Sequence, residues 1–220
     1  MNTVAILPAK SFDKAKQRLS PAFQMGHRTA LVEAMFADSL VAIRRASGID
    51  RIIVVTADRI AARIATGNGA DVIQDTSDSH SEAAELGIAR AIELGARRAL
   101  VVPGDCPMLN PAELEALLAQ PVAERSAVIV PDRHGEGTNA LLLTPPNALT
   151  PAFGEGSRQR HIDLAVAQGS SPQVVAVPSL GLDIDTPEDI EELLERFRTT
   201  RGGAAHTRGM LSQLMRSQAE

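Results

Sequence analysis

The chain has 220 residues, 44% hydrophobic and 22% charged, a length and composition that suit one α/β domain around a single buried core. A formal charge of −5 and the absence of Trp and Tyr argue against a binder of nucleic-acid polymers, which needs a basic face and stacking platforms. No apolar run approaches the ~20 residues of a membrane span, and a lone Cys106 rules out an intramolecular disulfide and suits a reducing, cytoplasmic setting.

In chain order, residues 4–7 form the first expected strand; no basic residue precedes it, so no signal peptide is expected. A helix over 28–45 follows, because Leu31, Ala34, Met35, Ser39, Ala42 and Ile43 repeat every 3.6 residues. Strands are expected at 51–56 and 70–73, a helix at 82–94 and a strand at 99–102. Ile52–Val55 and Leu100–Val102 are apolar at consecutive positions, the pattern of a parallel sheet covered on both faces. Asn110 and Pro111 open a helix over 111–118. Strands at 127–130 and 139–143 flank the turn-rich stretch 132–137, an antiparallel departure late in the sheet. A helix starts near Ser157, a strand is expected at 173–177, and a helix over 187–197 is capped by Thr186 or Asp185. The expected fold is a three-layer α/β/α, Rossmann-like domain over 1–198. Residues 199–220 read as a flexible tail or a short docking helix at a homodimer contact.

Of the 22 basic residues 19 are Arg, and the three Lys, at 10, 14 and 16, fall within seven residues directly after the first strand. That is the sheet edge where open α/β folds bind ligands. With Arg18 these residues offer point charges and a bidentate fork for a polyphosphate; the plainer reading is a solvated basic loop. No P-loop or dinucleotide glycine pattern is present. Asp105, in Pro103-Gly104-Asp105-Cys106-Pro107 after a buried strand, suits a divalent cation or a helix cap, and Cys106 reads as buried filler. Asp183 and Asp185 alternate in an extended stretch and can share one face. Gly154, Gly156 and Ser157 precede a helix, an anion site of the N-terminal type or an ordinary capped loop.

Taken together and in order, Pro8-Ala9-Lys10 with Ala15–Leu19, Gly104–Pro107, Gly137-Thr138-Asn139, Phe153-Gly154 through Ser157 with His161, and Asp183–Pro187 resemble the phospholactate/phosphoenolpyruvate guanylyltransferases of coenzyme F(420) biosynthesis. The resemblance spans roughly Val4 to Phe197. It implies a Mg²⁺-dependent nucleotidyltransferase that takes GTP and a small phosphorylated carboxylate, phosphoenolpyruvate or 2-phospho-L-lactate. It also implies metal binding by Asp105, Asp183 and Asp185. Lys10, Lys16 and Arg18 match the triphosphate loop, with Pro8 and Ala9 beside it; Thr138, Gly154 and Ser157 match the acid-binding positions, and Asn139 is a further substrate-binding candidate. One segment departs: where similar enzymes carry a Gly/Pro-Leu-Asn stretch near the nucleobase, this chain reads Ser79-His80-Ser81-Glu82-Ala83-Ala84. A different nucleotidyltransferase, such as a molybdopterin type, a non-catalytic nucleotide-binding paralogue, and an unrelated α/β protein are the competing readings.

Overall fold

The computed structural model describes residues 2–77 and 79–218, and of Lys14, Ser217 and Gln218 the backbone only. Seven strands, β1 (Thr3–Ala9), β2 (Arg51–Thr56), β3 (Asp71–Gln74), β4 (Arg98–Val101), β5 (Ser126–Pro131), β6 (Thr138–Thr144) and β7 (Ser171–Val174), form one sheet in the order β3-β2-β1-β4-β6-β5-β7. Pairing is parallel except where β6 runs against β4 and β5. Strand side chains alternate between two cores. Ala5, Leu7, Val54 and Leu100 face α1 (Met25–Arg45), α2 (Arg59–Gly67), α4 (Pro111–Leu118), α6 (Pro187–Thr199) and α7 (Ala205–Gln218). Val4, Ile6, Ile53 and Leu141 face α3 (His80–Glu93) and α5 (Ser157–Ala167). The three layers expected from the alternating pattern are present.

Local chemistry explains the boundaries. β1 runs two residues past the expected end, because Pro8 pairs with Val55 and Ala9 with Thr56. Ile6 turns its carbonyl toward β4 to accept from Val102 N–H (3.0 Å). Pro8, two residues on, therefore faces the same side, beyond the last β4 rung, where its missing N–H leaves no gap in the ladder. α2 was not expected; Asp58 caps it by accepting from Ile60 and Ala61 N–H. α3 starts earlier than expected, on a capping box between Ser79 and Glu82. Asn110 caps α4 as expected, and Thr186, not Asp185, caps α6 with Asp189 as its box partner. β7 pairs with β5 over 171–174, Val175 N–H makes the last bond to the Ile129 carbonyl (3.1 Å), and the chain then leaves the sheet, with Val177 buried in the α1-side core.

Residues 205–218 form α7, packed on α1 of the same chain. The anchor is Asp38, in the middle of α1 and nearly without solvent contact. One oxygen accepts from His206 N–H (3.1 Å) and lies 2.8 Å from His206 Nδ1; the other accepts from Thr207 N–H (2.8 Å) and hydroxyl (2.7 Å). A carboxylate from one helix thus satisfies the N-terminal amides of another. Arg208 lies over the Phe197 ring at 3.9 Å and donates to the carbonyls of Phe197, Thr200, Gly202 and Gly203.

Two substitutions test this packing. A Cβ on Gly87 would lie 2.3 Å from Ile6 Cγ2 and 3.3 Å from Val55 Cγ2. Gly87→Ala is therefore expected to lower stability by about 1–3 kcal/mol in urea unfolding, despite its better helix propensity. Asp38→Ala is expected to release α7, seen as new protease cleavage around Gly202 and Gly203 in an otherwise folded domain.

Candidate active site

The chain turns to one side of β1 through α1 and β2, and arrives on the other side as β4. The loops after β1 and β4 therefore diverge and leave a crevice at the carboxyl edge of the sheet. Because β6 is antiparallel, its first residues, Thr138 and Asn139, reach the same edge. The 175–186 segment returns there too, tied by Ile184 N–H to the Asp105 carbonyl (3.3 Å).

Lys16 stands at the centre. Its backbone is left-handed (φ +54°), which aims the side chain inward, and its ammonium is 2.5 Å from both Asp105 Oδ2 and Asp185 Oδ1. Burial works against this charge, but the two carboxylates outweigh it and hold the amine above the ordinary lysine range. Lys10 points elsewhere, donating to Asp75 (2.7 Å) and to the carbonyl (3.0 Å) and hydroxyl (3.1 Å) of Ser77. Arg18 is exposed on the rim, and the side chain of Lys14 lies outside the described residues. The basic loop is thus divided between two acidic anchors and one exposed guanidinium.

Asp183 accepts from Asn139 Nδ2 (3.1 Å), which also donates to the Leu180 carbonyl (2.5 Å). Burial, and then the neighbouring Asp105, push the Asp183 carboxyl above its ordinary range. Asp183 and Asp185 do flank one buried residue, Ile184, but in an extended loop rather than a strand. Asp189 fixes that loop: it accepts from the N–H groups of Asp185 (2.9 Å) and Thr186 (2.7 Å) and pairs with Arg133 from the β5–β6 turn.

Two chambers meet at this cluster. The smaller, about 270 Å³, lies between Pro8-Ala9-Lys10, Phe36 of α1 and Gly104. The larger, about 610 Å³, is lined by Arg18, Thr138, Asn139, Gly154 and Ser157. Asp105, Asp185, Pro103 and His80 border both. Gly104 owes its identity to packing, since a Cβ there would lie 2.5 Å from Phe36 Cδ2. Ser157 and His161, one turn apart on α5, are both buried against the sheet. Cys106 is buried, and burial pushes its thiol up, which fits filler rather than a nucleophile.

Several residues here escaped the sequence reading. His80 walls both chambers, kept toward its neutral form chiefly by burial, and meets the Phe153 ring edge-on at 5.1 Å. Ser81 Oγ accepts from Phe153 N–H (2.9 Å). The departing 79–84 segment therefore touches the Phe153 loop, which carries the larger chamber, as well as the smaller chamber. Asp75 and Arg133 act from 65 and 56 positions away from their partners (Lys10 and Asp189), a spacing that carries no local signal, whereas Asp189 has the local signal of the box partner of Thr186. His80 also had a hint, as the one ring in the segment that breaks the family pattern.

The donor set suits a hard divalent cation. All three aspartates offer oxygens, and Asp105 Oδ1 is buried without a hydrogen-bond partner among the described residues. Among the described residues no three His, Cys, Asp or Glu side chains close into a cage, and Lys16 supplies the positive charge between Asp105 and Asp185. An ion here would complete its shell with ligand oxygens.

Residues 3–215 match the family model described as guanylyl transferase CofC like. The chain is 50% identical over 219 residues to phosphoenolpyruvate guanylyltransferase of Conexibacter woesei, covering 99% of this chain and 98% of that protein. It is 31% identical to 2-phospho-L-lactate guanylyltransferase of Methanothermobacter thermautotrophicus, covering 97% and 92%. Among solved structures, a putative nucleotide-diphospho-sugar transferase from Desulfovibrio desulfuricans G20 superimposes with a TM-score of 0.73 over 98% of this chain and 97% of that one; at 13% identity it speaks for the fold alone.

Behind Thr138 of the larger chamber lies the buried imidazole of His161. Burial, and then Arg160, lower His161 from the ordinary 6.5 to about 4. Between these values the unfolded chain takes up a proton that the folded chain refuses, so stability is full above 6.5 and falls as pH drops toward 4. The difference in unfolding free energy between the wild type and His161→Phe is expected to shrink by roughly 3 kcal/mol from pH 7 to 4, measured by urea unfolding.

Proposed function

The chain belongs to the CofC-like guanylyl transferase family, and we propose that it moves GMP from GTP onto the phosphate of a small phosphorylated carboxylate. Phosphoenolpyruvate is the favoured acceptor, pyrophosphate is released, and the step belongs to coenzyme F(420) biosynthesis. The observation that carries this reading is the pair of chambers meeting at Asp105 and Asp185, with Lys16 between the two carboxylates. Such a layout brings two separately bound anions together at one charged rim.

A phosphate oxygen of the acid attacks the α-phosphorus of GTP. A new P–O bond forms as the bond to the oxygen bridging the β-phosphorus breaks, and pyrophosphate leaves with that electron pair. A phosphate monoester has a second pKa of about 6, so the nucleophile is ionised at neutral pH and no general base is needed. What the protein has to overcome is repulsion between anions, which calls for charge placed in advance. Lys16, Lys10 and Arg18 take up charge developing on the pyrophosphate. Thr138 and the amide end of α5 at Ser157 receive the acid, and Pro8 and Ala9 form the floor on the nucleotide side. Asp105, Asp183 and Asp185 would hold Mg²⁺, which when bound screens the phosphates from one another and polarises the α-phosphoryl group.

The test is pyrophosphate release with Mg²⁺, crossing four nucleoside triphosphates with phosphoenolpyruvate, 2-phospho-L-lactate and 3-phosphoglycerate. Turnover is expected with GTP and strongest with phosphoenolpyruvate; activity only with CTP or UTP overturns the guanylyl assignment. Asp105→Asn is expected to lose roughly 100-fold or more in turnover while still folding, with a lowered melting temperature because buried Lys16 keeps only Asp185 as a charged partner. An Asp105→Asn enzyme that stays active without metal would remove Asp105 from the metal site.

A further inference from the structure

His161 is buried on α5 with both ring nitrogens engaged. Nε2 lies 2.8 Å from the backbone nitrogen of Ala152, and Nδ1 lies 2.9 Å from Thr138 Oγ1. A backbone N–H can only donate, so Nε2 accepts and carries no proton. A ring protonated on both nitrogens would set N–H against N–H at Ala152, so the ring is neutral and its single proton sits on Nδ1. Burial favours the same neutral form. Nδ1–H must then donate to Thr138 Oγ1. The ring is held in that orientation by Phe153, edge-on at 5.2 Å.

The consequence falls on Thr138. Its oxygen is occupied as an acceptor, so its one hydroxyl proton is turned away from His161. Thr138 lines the larger chamber, and among the described residues its hydroxyl has no other partner. We infer that His161 is a positioning residue for the acid pocket, holding the Thr138 hydroxyl as a donor aimed at a carboxylate or phosphate oxygen of the bound acid. This rests on the function proposed above. It adds a residue one layer behind the ligand and fixes the polarity of the pocket's hydroxyl.

Two measurements decide it. In the free protein, ¹⁵N-edited NMR of the imidazole is expected to report a neutral ring protonated on Nδ1 at pH 7; an Nε2–H tautomer or a charged ring overturns the inference. In steady-state kinetics, Thr138→Val is expected to raise the KM for phosphoenolpyruvate roughly ten- to hundredfold, the loss of a hydrogen bond to a charged group, with Thr138→Ser close to the wild type. His161→Phe is expected to raise the same KM, to leave the KM for GTP within about twofold, and to add little on top of Thr138→Val, because both remove one interaction. Multiplying effects in the double variant, an unchanged acid KM in folded His161→Phe, or an equal rise for GTP each overturn it. His161→Asn, with a shorter amide able to donate to Thr138, is a second variant should the phenylalanine not fold. Wild-type protein that releases no pyrophosphate with any acid sinks the proposed function itself. An active wild type with an indifferent His161 variant sinks only the positioning role.

Discussion

The ammonium of Lys16, wedged between the carboxylates of Asp105 and Asp185, ties together three segments that are far apart in the chain. Two carboxylates brought this close repel one another unless a cation lies between them. Lys16 meets that need from within the protein, through a left-handed backbone that a lysine rarely adopts. The β1 loop, the β4 loop and the segment before α6 are thereby held at one edge of the sheet. Burial, and then the neighbouring Asp105, raise the Asp183 carboxyl at the same edge.

Around the charged centre the supports are arranged so that each functional group has a fixed neighbour. Asp189 holds the Asp183–Asp185 loop by its amides, and Asn139 bridges Asp183 to the Leu180 carbonyl. On the other side, His80, Phe153 and His161 form a chain of edge-to-face rings from the start of α3 to the start of α5. With no Trp or Tyr available, His80 borders both chambers, Phe153 lines the larger one, and His161 backs Phe153 from the buried side. Lys10 and Lys16, conspicuous in a chain that otherwise uses arginine, do not act as one patch. They are assigned to separate acidic anchors, which suits a compact ammonium better than a planar fork.

The far face depends on a different carboxylate. Asp38 lies inside the span of a long amphipathic helix and reads as an ordinary polar position, yet it accepts the first amides of α7 and seats that helix on α1. The family match reaches residue 215, so most of α7 lies inside the matched span. Leu211 and Leu214 bury their side chains in the same core as α1 and the strands.

The order of the strands and of the helices other than α2 and α7, the α4 cap at Asn110, the antiparallel turn before β6 and the family itself are properties of the sequence. Periodicity, capping residues and short motifs are local, and local chemistry is enough to set them. The motifs around Asp105, Thr138, Ser157 and Asp183 could be read for the same reason. Only the tertiary structure decided that Lys16 pairs with two aspartates while Lys10 goes to Asp75. The same holds for the place of His80 between the chambers, and for the cap that Asp38 gives to the first amides of α7. Those are choices among partners tens of positions away. They are settled by where the sheet brings the loops and by the cost of leaving a buried charge or amide alone, and no pattern along the chain records them.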